Sequence, residues 1–157
     1  MIHTTYNQLN QAQQILLDQA AKSMETAYSP YSHFYVGAAL MSQDRHVITG
    51  SNVENAAYNP TICAERSALA RANAMGIRTF DSIAVIARGE DFETSEVTAP
   101  CGTCRQMLYE SSQISGVDLE VIMSTTRKDK IIIATISELL PLAFGPADLG
   151  IDVKKYR

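Results

Sequence analysis

Three cysteines have the most chemistry to offer in this chain: Cys63, Cys101 and Cys104. Cys101 and Cys104 are three apart, so on a helix they share one face. Pro100 stands where a helix opens, and the Ala- and Arg-rich run from Cys63 to Met75 favours helix. All three thiols therefore fall at the starts of two predicted helices. A helix N-terminus carries partial positive charge and unpaired N–H groups, which favour thiolate, the metal-binding form. Three thiolates converging on one point select zinc, at about 2.3 Å in a tetrahedral arrangement. The imidazoles, His3, His33 and His46, stand at no ligand spacing from the cysteines. That leaves the fourth position to water and marks a catalytic site rather than a closed structural one. Zinc lowers the pKa of such a water toward ~7.

Three thiolates overbalance one divalent cation, and excess negative charge weakens a metal as a Lewis acid. Positive neighbours are therefore expected. Arg66 lies three residues beyond Cys63, one helical turn away, and Arg105 directly follows Cys104. Arg66 is expected to temper the thiolate charge. Glu65 is the remaining chemical group. In mid-helix it would not face Cys63, but if Cys63 lies before the regular helix, Glu65 reaches the bound water and shuttles its proton.

These residues need elements to position them. The chain has 157 residues, 46% of them apolar, which fits one globular domain over residues 1–157 and excludes a disordered or collagen-like chain. Leu9, Ala12, Leu16, Ala20, Met24 and Ala27 recur at helical spacing from about Tyr6 to Tyr28, and Ser29-Pro30 ends that pattern. Phe34 to Met41 is apolar on both faces and reads as a buried strand, with Val47 to Asn52 as its hairpin return. Ile83 to Ala87 is a third strand. Arg88 to Ala99 is an acidic loop, and Gly102 to about Gln113 is the second cysteine-bearing helix. Leu119 to Met123 and Lys130 to Ala134 are two further strands, and a short helix follows at Ser137 to Leu140. The order predicts one sheet with helices on both faces.

No apolar run reaches membrane-spanning length, and the polar, Gln-rich stretch from Met1 to Gln14 lacks signal-peptide features. Together with an odd number of cysteines, this predicts a cytoplasmic location with reduced thiols. A formal net charge of −4, from 13 basic and 17 acidic residues, and the absence of Trp argue against a nucleic-acid partner.

The constellation Cys63-Ala64-Glu65 with Pro100-Cys101-Gly102-Thr103-Cys104 resembles the signature of the zinc nucleoside deaminases. Three further segments sharpen the likeness to the cytidine deaminase family: Pro30 to Leu40, Gly50-Ser51-Asn52-Val53-Glu54-Asn55-Ala56, and Leu139 to Leu149. The resemblance runs in order from about residue 6 to 149. It implies a three-layer α/β/α sandwich around a mixed five-stranded sheet, with one Zn²⁺ per subunit on Cys63, Cys101 and Cys104. It implies hydrolytic deamination of cytidine and 2'-deoxycytidine for pyrimidine salvage, with Glu65 carrying the proton to the ring and then to the leaving amine. Asn52 and Glu54 match the pair that holds the ribose hydroxyls. Backbone at Ala64 would read the base edge, and Phe34 would pack on the ligand. Tyr58 and Phe144 match aromatic positions lining pockets between subunits of a homotetramer. The acidic loop and the tail from Ile151 to Arg157 match nothing in the pattern.

Plainer readings stand beside these. Cys101 and Cys104 alone would suit a redox pair, but Cys63 and Glu65 would then be idle. Asn52 sits in turn chemistry, and Phe34 is in phase with core residues Val36, Ala38 and Leu40. A competing enzyme reading keeps the chemistry and changes the substrate to a modified cytosine nucleoside or nucleoside antibiotic.

Overall fold

The structure, a computed structural model, describes residues 1–157. Strands β1 (Ile2–Thr4), β2 (Phe34–Ser42), β3 (Val47–Ser51), β4 (Phe80–Gly89), β5 (Glu120–Ser124) and β6 (Ile131–Thr135) form one sheet in the order β1-β6-β5-β4-β2-β3. Only β4 and β5 run parallel. The helix α3 (Gly102–Ser115) makes that crossover. The other helices are α1 (Gln11–Ser23), α2 (Ala64–Ala74) and the short α4 (Ile136–Leu139).

The central strands alternate between two cores. Ala38 and Leu40 of β2, Ile83 and Val85 of β4, and Val121 and Met123 of β5 pack with Ala64, Ala68, Leu69 and Ala72 of α2 and Leu108 of α3. Ala39, Met41, Ala84, Ile86 and Ile122 point the other way, onto Leu16, Leu17 and Ala20 of α1. Helices on both faces explain why Phe34 to Met41 of β2 and Ile83 to Ala87 of β4 are apolar on both sides, and the three layers agree with the expected sandwich.

The sheet has six strands rather than the expected five. The sixth is β1, which pairs antiparallel with β6 at the edge, Ile2 opposite Ile133 and Thr4 opposite Ile131. Three residues in a polar stretch are too few to show an alternation, so only the partner strand reveals it. The first helical segment is also shorter than its apolar period. Asn10 caps α1 by accepting from Gln13 N at 3.0 Å, while Gln13 Oε1 accepts from Asn10 N at 3.0 Å. This reciprocal box starts a new helix. Tyr6–Gln8 and Met24–Thr26 on either side are 3₁₀ turns that carry the apolar spacing on without α geometry.

One close approach fixes where α2 begins. A Cβ placed on Gly50 of β3 would lie 2.4 Å from Ala68 N and 2.5 Å from Ala64 O. The helix therefore rides directly on the strand backbone, which holds residues 63 to 65 in place. Gly50→Ala is expected to destabilise the protein by about 1–3 kcal/mol through overpacking, seen as a melting temperature lowered by roughly 3–10 °C. An unchanged melting curve would show that the helix can stand off without cost.

Candidate active site

Two helix starts build the thiol cluster. Cys63 is the N-cap of α2, with φ −69° and ψ 156°, and Cys101 is the N-cap of α3, with φ −66° and ψ 169°. Both are extended, outside the regular helix, and neither side chain caps its own helix. Cys104 lies one turn into α3 and is fully buried, while Cys63 is half-buried and Cys101 exposed. No disulfide forms, and the three Sγ atoms lie within 4.8 Å of one another. Because α2 and α3 pack on the same sheet face, their N-termini meet there.

The protons on this cluster are shared. A hydrogen bond from the Cys104 thiol, helped by Cys101 and by the charge of Arg66, draws Cys63 down to about 6 against the opposing effect of burial. Cys104, donating to Cys63 and itself buried, is pushed far up. A cation that prefers soft ligands displaces such protons when it binds. Three convergent, unbridged thiols at helix N-termini fit zinc, and this triad can hold the ion.

Around the thiols, the two arginines behave differently. Arg66 has a buried Nε with no hydrogen-bond partner, although its charge favours the Cys63 thiolate. Buried donors are rarely left orphaned. Arg105, expected to help neutralise the sulfurs, instead donates from Nε to Pro100 O at 2.8 Å and from Nη1 to Leu139 O at 3.0 Å. It ties the start of α3 to the end of α4. Carbonyls near a helix terminus also accept from a guanidinium, and spacing alone does not separate them from the sulfurs as partners.

Glu65 is 4% exposed. Burial pushes its carboxyl up, and the charge of Cys63 pushes the same way. Backbone hydrogen bonding, the Cys104 thiol and Arg66 oppose them only in part. With Cys63 outside the helix, Glu65 in the first turn stands beside the thiols. A carboxyl beside a metal site with a raised pKa is suited to take and return a proton near neutral pH.

The segment carrying Asn52 and Glu54 lies alongside. Val53 and Ile62 exchange antiparallel hydrogen bonds of 2.9 Å, so the register sets Asn52 opposite Cys63 and Glu54 opposite Thr61. Glu54 Oε2 accepts from Tyr31 N at 2.9 Å and Ser32 N at 3.2 Å. Burial pushes this carboxyl up, but the Ser32 hydroxyl and the two N–H groups outweigh it and hold the group below the usual range. Tyr31, Ser32, Glu54, Tyr58 and Thr61 line a recess of about 310 Å³. Tyr58 is 76% exposed and meets Tyr31 edge-on at 6.3 Å.

Asn52 is buried and its amide is committed. Nδ2 donates to Ser29 Oγ and to Phe34 O, each at 2.9 Å, and Oδ1 accepts from Val36 N at 2.9 Å. One acceptor lone pair remains for a ligand. Ser29 and the N–H groups of Tyr31 and Ser32, which hold Asn52 and Glu54, were given no site role from the sequence: Ser29-Pro30 reads as a helix stop, and Tyr31 and Ser32 enter only as part of the Pro30 to Leu40 likeness. Phe34 opens β2 and is partly buried. Ala64 is the first residue of α2 and turns its methyl into the core. Phe144 is 61% exposed on the chain after α4, where its carbonyl accepts from Gln106 Nε2 at 2.8 Å. It is not among the residues lining the recess of its own chain.

Comparison with known proteins places this arrangement. The family model for the cytidine and deoxycytidylate deaminase zinc-binding region matches residues 10–119. The chain is 43% identical over 137 residues to a cytidine deaminase of Halalkalibacterium halodurans, covering 87% of this chain and 97% of that one. It is 40% identical over 135 residues to one of Sporosarcina psychrophila, covering 86% and 93%. The crystal structure of cytidine deaminase from Burkholderia pseudomallei superposes with a TM-score of 0.74 at 42% identity, covering 83% of this chain and 97% of that one.

Proposed function

The chain belongs to the cytidine and deoxycytidylate deaminase family, and we propose that, as one domain, it converts cytidine and 2'-deoxycytidine with water to uridine and 2'-deoxyuridine, releasing one ammonia per turnover, in pyrimidine salvage. The observation that carries this reading is the convergence of three Sγ atoms within 4.8 Å beside a buried carboxyl of raised pKa.

Cys63, Cys101 and Cys104 would hold the zinc. When bound, the ion supplies Lewis acidity and a water acidified for attack on an electron-poor ring carbon. Glu65 would take a proton from the attacking water and pass it to the pyrimidine ring nitrogen, then take the second proton from the new hydroxyl on the ring carbon and deliver it to the amine as the C–N bond breaks and ammonia leaves. Its burial suits both states, because desolvation lifts the carboxyl toward neutrality while Arg66 and the Cys104 thiol restrain the rise. Ala64 N–H, at the first helical position, has no intrahelical acceptor and is available to the base edge. Glu54, kept ionised and aimed by two backbone N–H groups, accepts from a ribose hydroxyl. Asn52 contributes its remaining lone pair and, through Phe34 O and Val36 N, holds the Phe34 wall.

The rim supports assembly of several copies, in our reading a homotetramer. Tyr58, Leu142 and Phe144 are large apolar side chains that stand exposed, and Tyr58 and Leu142 have φ of 53° and 58°. Strained, exposed apolar residues mark contact sites, and a partner's aromatic side chains would close the recess. No helix is long and apolar enough to cross a membrane. A cytoplasmic location suits three free thiols.

The test is absorbance loss on incubating zinc-loaded protein with cytidine, with uridine and ammonia measured in equal amounts. Absence of turnover on both cytidine and deoxycytidine would overturn the reading. Arg66 gives a second expectation. Arg66→Ala is expected to lower zinc affinity or turnover by about 10- to 100-fold, the usual cost of removing a group that supports metal ligands. Metal titration and steady-state rates both matching the parent would remove Arg66 from the site.

A further inference from the structure

The acidic loop after β4 is tied into the nucleoside site through one aromatic ring. Gly89, the last residue of β4, pairs directly with Phe34, the first residue of β2. In an antiparallel ladder the residue opposite a phenylalanine normally covers part of its ring. Gly89 has no side chain, and another group takes that place. The chain turns sharply, with Gly89 N donating to Phe92 O at 2.9 Å and Arg88 bridged to Glu93. This folds Phe92 back over Gly89. A Cβ on Gly89 would lie 2.1 Å from Phe92 Cε1 and 2.3 Å from Cδ1. The Phe92 ring stacks on Phe34 with centroids 6.3 Å apart and planes 27° from parallel. A glycine in a strand whose missing side chain is replaced by a neighbouring aromatic is a recognised way of completing a sheet surface.

The loop is anchored on both sides of this ring. Glu90 N donates to His33 O at 2.9 Å, and the Glu90 carboxylate meets His33 Nδ1 at 3.1 Å. On the far side Glu93 pairs with Arg127, Lys130 Nζ meets Glu96 Oε1 at 2.9 Å, and Thr94 N donates to Thr126 Oγ1 at 2.8 Å. Phe92 itself is 61% exposed. A large aromatic held in place this firmly yet left facing solvent contributes little to the core, and its fixed neighbour is the residue assigned to the ligand wall.

We propose that Phe92 is a positioning residue of the nucleoside site, holding Phe34 against the ligand from the space that Gly89 leaves open. This rests on the assignment of Phe34 to that wall. The role is one of affinity rather than proton transfer, because Phe92 touches none of the groups that move protons. Its loss appears in substrate binding.

The experiment measures kcat and KM for cytidine, and the Kd of uridine by calorimetry, on zinc-loaded parent, Phe92→Ala, Phe92→Tyr, Gly89→Ala and the double variant Gly89→Ala/Phe92→Ala. Phe92→Ala is expected to raise KM and the uridine Kd together by about 2- to 10-fold, the range for losing one aromatic pair, with kcat within twofold and an unchanged melting temperature. Phe92→Tyr keeps the stack and stays near the parent. Gly89→Ala displaces the ring and raises KM with Phe92 still present, and the double variant is no worse than the worse single one, since both changes remove the same contact. A parent that turns over cytidine while Phe92→Ala keeps its KM and Kd overturns this inference alone. A kcat loss without a KM change also overturns it. A parent that does not turn over cytidine overturns the functional reading, and this inference with it.

Discussion

Glu65→Gln is expected to lower cytidine turnover by about 10²- to 10⁴-fold, the contribution of a positioned proton carrier, while zinc content and uridine affinity stay within a few-fold of the parent. Glutamine has nearly the same shape, so the buried position beside α3 is filled as before. The amide cannot take a proton from water and return it to the leaving amine. Burial argues in the same direction. A carboxyl that is 4% exposed and lifted by desolvation costs the fold something to hold, and replacing it by a neutral isostere leaves the protein no less stable in thermal melting. Activity and stability thus part company, as expected of a side chain retained for chemistry. Equal turnover in parent and variant at matched zinc content would remove Glu65 from the proton path.

Cys104→Ser is expected to abolish stoichiometric zinc binding and bring turnover to background. Cys104 is fully buried and lies within 4.8 Å of both other thiols. The substitution keeps the size of the side chain but exchanges a soft, polarisable donor for a hydroxyl that does not deprotonate near neutral pH. The hydroxyl can still donate to Cys63 as the thiol does, so the change isolates the loss of one soft donor. Metal analysis after dialysis reads the loss directly. Turnover is a separate readout, and the metal analysis does not depend on the identity of the nucleoside. A Cys104→Ser protein retaining one zinc per chain would show that Cys63 and Cys101 suffice and that the triad is misassigned.

Much of this was legible in the sequence, for definable reasons. The thiol cluster is local at each end, one cysteine before one helix and a spaced pair at the start of another, and helix-start signals are short-range. The doubly apolar β2 could only be a buried strand, and the structure packs a different helix layer on each side of it. What escaped depends on partners distant in the chain. The strand β1 exists because β6 offers an edge. Arg105 found carbonyls instead of sulfurs. The amide of Asn52 is consumed by Ser29, Phe34 and Val36, so a residue whose pattern suggests a ligand contact also builds the wall. Phe92 carries no signal of its own. Its meaning comes from the glycine three residues before it, and from the phenylalanine facing that glycine across the sheet.

The division of the interior into two separate cores has a consequence for the order in which the molecule comes apart. The thiol triad joins only α2 and α3, both on one face, whereas α1 is fastened to the opposite face by Leu16, Leu17 and Ala20, away from the thiols. The free energy of metal binding is therefore spent on one layer. Removing a bound ion would leave the α1 layer with all its contacts and take from the α2–α3 layer the link between its helix starts, so that layer is expected to loosen first. The face carrying the thiols would then be the first to open, and the α1 face would be the scaffold on which it closes again when metal returns.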